Sequence, residues 1–169
     1  MIVLCFIVLA GIVNFAYAEL SVVYVNSDRI LAEYELAKEA QIQLDKEAKE
    51  LEKQYRQLIA ERDSLFQAYD RQKLILSEER RAEKENEITT KEQVIQRFQV
   101  EKLGPQGAIY AKQQELIGPV LEKIKMVIQE IGKREKYDYI MDTVAGNILY
   151  AEPKFDITDD VLYELQRSE

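Results

Sequence analysis

Apolar residues recur alternately four and three positions apart through Ile30, Tyr34, Ala37, Gln41, Leu44, Ala48, Leu51, Tyr55, Leu58, Arg62, Leu65 and Tyr69, with only Gln41 and Arg62 breaking the character. A 3.5-residue period puts these side chains on one seam of a long helix, which must be buried against another helix. Ahead of it, Ser21-Val22-Val23-Tyr24-Val25-Asn26 reads as a short strand, and Ser27 and Asp28 offer helix N-caps. No Gly or Pro occurs from Glu19 to Leu103, so the seam is expected to run unbroken to a turn at residues 74–78, where Ser77 can cap a returning helix. Glu78 and Glu79 then suit that helix's first turn.

The return arm is polar at first, with few seam residues beyond Ile88, Ile95 and Phe98. It is richly apolar later, through Ile117, Val120, Leu121, Ile124, Val127, Ile128 and Ile131. Gly104-Pro105-Gln106-Gly107 and Gly118-Pro119 interrupt it, and a joint is expected near 104–107. Gly104, Pro105 and Gly107 then form either a hinge or a rigid bulge. Each arm of about 48 residues would be about 70 Å long. Tyr137-Asp138-Tyr139-Ile140-Met141-Asp142 and Ile148-Leu149-Tyr150-Ala151 read as a two-strand hairpin turning through Ala145-Gly146-Asn147. Asp156 to Asp160 then cap a short helix bearing Val161, Leu162 and Leu165.

The expected fold is therefore mainly α with a small β head. Residues 29–136 form a long antiparallel helical hairpin, and residues 19–28 and 137–169 form a β-rich head. Alone, that head has too little core and naked strand edges, which argues for association through heads. Val23, Val25, Ile140, Ile148, Tyr150, Val161 and Leu165 are its expected residues.

Residues 2 to 18 are almost wholly apolar and end in Ala16-Tyr17-Ala18, which reads as an export signal cleaved after Ala18. An uncleaved anchor is the alternative, although the run lies at the short limit for spanning a bilayer. Cys5, the one cysteine, lies inside that run, and the chain has no His. Disulfides, thiol nucleophiles, imidazole bases and the commonest zinc ligands are thereby removed from the exported chain. No phosphate-binding glycine loop or nucleophile elbow is present, so the expectation is not an enzyme and no cofactor. Net charge is −8, which disfavours nucleic acid. From Asp70 to Lys102, however, eight basic residues balance eight acidic ones.

Four stretches together resemble the Skp/OmpH group of periplasmic holdase chaperones. They are Val22 to Leu31, the helical hairpin, Tyr137-Asp138-Tyr139-Ile140-Met141-Asp142, and Leu149-Tyr150-Ala151 through Asp156-Ile157-Thr158-Asp159-Asp160-Val161-Leu162. Gly104-Pro105-Gln106-Gly107 with Leu116-Ile117-Gly118-Pro119 resembles the versions found in Bacteroidetes-like bacteria. The resemblance implies a homotrimer whose helical arms enclose a cavity. It also implies binding of unfolded outer-membrane β-barrel proteins in the periplasm without ATP. The best-known member of the group is strongly basic, whereas this chain is acidic. Anionic lipid or lipopolysaccharide is a further candidate partner through Arg80 and Arg81, against a plain solvated surface.

Tyr34, Tyr55 and Tyr69 lie on the seam as packing residues. Off the seam, Ile59, Phe66, Leu74, Ile75, Leu76, Val94 and Val100 either grip an unfolded client or pack within a neighbouring arm. A structural coiled-coil spacer or tether of the cell envelope is the alternative function. It needs the seam, but neither the capped hairpin nor the terminal strands.

Overall fold

The computed structural model describes residues 20–168, apart from 145 and 147. The expected signal, its cleavage point and part of the expected Gly-Asn turn lie outside the described residues. Strand β1 (Val22–Val25) leads into α1 (Ser27–Glu33) and the 38-residue α2 (Glu35–Gln72). After a turn, α3 (Glu78–Phe98) returns, passes through a π-helical turn (Gln99–Leu103) and a break, and resumes as α4 (Ala108–Glu135). Strand β2 (Tyr139–Asp142), a 3₁₀ turn (Pro153–Phe155) and α5 (Thr158–Arg167) complete the chain. The protein is mainly helical with a small two-stranded sheet.

The tip forms where expected. Ser77 is the N-cap of α3, its side chain accepting a hydrogen bond from the Arg80 N–H, with Glu78 and Glu79 in the first turn. Within the return arm, the chain breaks between the π turn and α4, at residues 104–107. A Cβ at Gly104 would lie 2.5 Å from the Val100 carbonyl oxygen, so the close chain path there admits only glycine. Pro119, by contrast, is accommodated inside α4.

The seam is not continuous. Tyr34 is fully buried with extended backbone (φ −72°, ψ 123°), and it separates α1 from α2. Its carbonyl accepts from the N–H groups of Ala37 and Lys38, so one residue ends one helix and starts the next. Its ring packs in the core at this point. Helix α2 is consequently about 57 Å long, shorter than the 70 Å expected. The cap of α1 is also Asn26, whose Oδ1 accepts from the Arg29 N–H, and not Ser27 or Asp28. Ser27 instead donates its hydroxyl to Asp142 at 2.6 Å.

The expected hairpin of strands 137–142 and 148–151 does not form. β2 pairs with β1, in parallel, with Val22 opposite Tyr139 and Val25 opposite Asp142. Such a pair requires a long crossover, which the whole helical arm supplies. Two further contacts extend the pairing around β1. Beyond β2, Thr143 bonds back to the Val25 carbonyl. On the far side of β1, the Tyr24 carbonyl already accepts from the Ile157 N–H, beside the Tyr24–Asp156 bridge.

The core lies where the arm's root meets the head. Val23 and Val25 from β1, Ile30, Tyr34, Ala37 and Ala40 from the outgoing arm, and Val120, Ile124, Val127 and Ile131 from α4 pack with Ile157, Val161, Leu162 and Leu165. The head therefore borrows apolar surface from both arms, and is less starved of core than its own segments suggested. Thr158 is fully buried among these residues. Its hydroxyl oxygen accepts from the Asn26 N–H at 3.0 Å and its hydroxyl donates to Asp156. It thus straps the start of α5 to the end of β1, where a simple cap was expected.

Candidate functional site: the outer face of the head and the distal arm

β1 is apolar on both sides. Val23 and Val25 face the core, while Val22 and Tyr24 alternate onto the other side of the sheet. There they line an open hollow of about 930 Å³ together with Leu20, Met141, Ile148, Leu149, Tyr150 and Phe155. Leu149 is 97% exposed and Tyr150 83% exposed. A strand apolar on both faces belongs to a sheet covered on both faces, and here only one is covered within the chain.

Of the residues expected in the head, Val23, Val25, Val161 and Leu165 are buried inside this single chain, and Ile140 packs partly buried against them. Ile148 and Tyr150 line the hollow, and Val23 also borders it. Leu20, Val22, Tyr24, Leu149, Met141 and Phe155 were not anticipated there. The available signal was the unbroken apolar run of Val22 to Val25, which a half-buried strand would not show.

Asp142 closes the mouth of the sheet. Burial alone would push its pKa up, but hydrogen bonds from the Ser27 hydroxyl and from the N–H groups of Val144 and Ser27 outweigh that, and hold it below the usual value. Arg29, paired with Glu33 and Asp159, ties α1 to α5. These links orient the head; none converges on a reacting atom.

The distal arm is built differently. Along it, polar pairs cross between α2 and α3. Tyr69 donates to Glu85, Arg62 reaches Glu92 at 3.5 Å, and Lys91 meets Glu61 at 2.9 Å. Tyr55 stacks on Phe98 with centroids 6.2 Å apart. The Lys91 hydrogen bond, then that from Gln57, holds the Glu61 carboxyl below its ordinary pKa. Arg62, a flaw in the apolar pattern, is therefore a cross-arm bridge. The same antiparallel register sets Leu65 opposite Ile88 and Leu58 opposite Ile95.

The expected client contacts do not form one patch. Leu74 and Ile75, 93% and 85% exposed, stand together at the tip, and Leu76 beside them is half-buried. Phe66, Val94 and Val100 are exposed farther back, and Ile59 is half-buried. Val94 borders a shallow groove with Leu65 and Thr90. Of the basic pair, Arg80 is engaged by Glu83 at 2.6 Å. No group of metal-ligating side chains is found among the described residues, and no helix among them is long and apolar enough to cross a membrane.

The family described as outer membrane protein (OmpH-like) matches residues 21–165. The chain belongs to this OmpH-like family. A solved structure of a candidate outer membrane chaperone (OmpH-like) from Caulobacter crescentus CB15 has the same fold. Its TM-score is 0.73 at 19% identity, covering 90% of this chain and 87% of that one. No curated protein matches the sequence. At 19% identity, the likeness to that solved structure is one of fold.

Proposed function

We propose that the protein is an ATP-independent periplasmic holdase, assembled as a homotrimer through its heads, that keeps unfolded outer-membrane β-barrel proteins from aggregating between its arms. The observation that carries this reading is the uncovered apolar side of the head sheet, with Leu149 and Tyr150 almost fully exposed on it. Closing that side against other copies brings several polar arms to one end of a single particle. An unfolded barrel protein presents alternating apolar residues that otherwise pair edge to edge with further copies. Arms around it block such pairing, and many weak contacts add up through high effective concentration. Weak contacts also permit release without nucleotide.

The test is aggregation. A barrel protein diluted from urea should stay clear in the presence of this protein and turn turbid in its absence. Turbidity unchanged by the protein counts for the envelope-spacer alternative. Trimerisation is checked separately by mass, and a dimer argues against the cage.

A further inference from the structure

Among the described residues, helix α3 packs chiefly against α2 and buries only Ile88 and Ile95 along its 21 residues. Its ties to α2 are layers of polar side chains alternating with apolar pairs, closed at the joint end by an aromatic stack: Tyr69 with Glu85, then Leu65 opposite Ile88, then Arg62 with Glu92 and Glu61 with Lys91, then Leu58 opposite Ile95, then Tyr55 on Phe98. The paired charges of the Arg62 and Glu61 layer are between about a quarter and half exposed, so solvent screens each bridge and each adds little. Polar layers of this sort define register better than they stabilise. At the joint the character changes, because α4 beyond it joins the main core through Val120, Ile124, Val127 and Ile131. Resistance to opening is therefore concentrated at the root, and the distal hairpin occupies the low end of the chain's local stability.

We infer that the distal hairpin unzips from its tip toward the joint at residues 99–107, and that the seam so exposed (Leu58, Leu65, Ile88 and Ile95) is itself a docking surface for an unfolded apolar polypeptide. This rests on the holdase reading and names a surface that the closed arm covers in part: Ile88 and Ile95 are buried, whereas Leu58 and Leu65 are half-buried and Leu65 borders the groove beside Val94. Charge matching assists the occupant. When Glu61, Arg62, Lys91 and Glu92 part, each leaves a charge beside an apolar site, which suits a polypeptide of mixed composition better than a bilayer interior. The closed arm buries Ile88 and Ile95 when no client is present. The mixed seam also keeps the arm from closing too tightly to yield.

Paired cysteines at Tyr69→Cys and Glu85→Cys, in a Cys5→Ser background, cross-link the two helices near the tip and leave all four seam residues in place. The oxidised protein should capture a urea-diluted barrel protein about fivefold more weakly than the same protein reduced, at unchanged oligomeric mass. Equal capture in both states overturns the inference and leaves the holdase reading intact. Failure of the unsubstituted protein to capture any client overturns both. Hydrogen exchange on the unsubstituted protein is independent of whether the cross-link forms. Amides of α3 should exchange roughly 100-fold faster than those of α4 from Val120 to Ile131, and should slow when client is added. Equal exchange in the two helices, or no slowing with client, also overturns it.

Discussion

Replacing Thr158 by Val keeps the shape of a fully buried side chain and removes only its hydroxyl. That hydroxyl accepts from the Asn26 N–H at 3.0 Å and donates to Asp156, so two partners lose it at once. A part-buried N–H left without an acceptor costs about 1–3 kcal/mol, and Asp156 keeps its bond from the Thr158 N–H at 2.9 Å. The expected loss is thus about 2 kcal/mol for Thr158→Val. Thr158→Ser keeps both bonds and removes one methyl group, for about 1 kcal/mol. The comparison is made by urea unfolding of both variants and the parent at one protein concentration, since association contributes to stability. The strap between α5 and β1 is refuted if Val is tolerated as well as Ser, or better.

Asp142→Asn should destabilise by roughly 1 kcal/mol at neutral pH, discounted because the carboxylate is near solvent. The folded-state pKa of Asp142 is lowered, so its contribution is present above the ordinary value of 3.8 and is lost as pH falls through the lower folded value; parent and variant should converge in acid. Gly104→Ala places a Cβ 2.5 Å from the Val100 carbonyl oxygen and should destabilise by about 1–3 kcal/mol. Gly118→Ala, where a Cβ meets nothing within 4 Å inside α4, should stabilise by roughly 0.5–1 kcal/mol, and thermal melts of both variants report the opposite signs. Leu149→Asp combined with Tyr150→Asp should reduce the particle to single chains on a sizing column while leaving helical circular dichroism unchanged, since neither residue is in the core.

Much of this architecture was legible because it is local. The Ser77 cap and the close chain path at Gly104 and Gly107 act through neighbours in the chain, whereas the 3.5-residue seam is interrupted at Tyr34. The parallel pairing of β1 with β2 was not legible. It joins residues more than a hundred positions apart, as do the Ile157–Tyr24 and Thr143–Val25 bonds beside it. The bend at Tyr34 was hidden as well: its position fits the heptad, and its ring packs in the core at the break. Lys136, which ends α4 in the left-handed conformation with φ 59°, carries no glycine to announce the turn.

At the candidate site the chemistry was readable and the geometry was not. Leu74 and Ile75 could be seen as exposed because they interrupt a polar hairpin. The head residues were read as one set, whereas alternation along β1 divides them into an inner and an outer side. Arg62 looked like a defect until Glu92 was found across the arm.

The most direct test of the account is light scattering coupled to size exclusion, on the exported chain alone and with a urea-diluted outer-membrane barrel protein. The account predicts three chains per particle and about one client held in a soluble complex. A dimer, or a trimer beside which the barrel protein still aggregates, contradicts it.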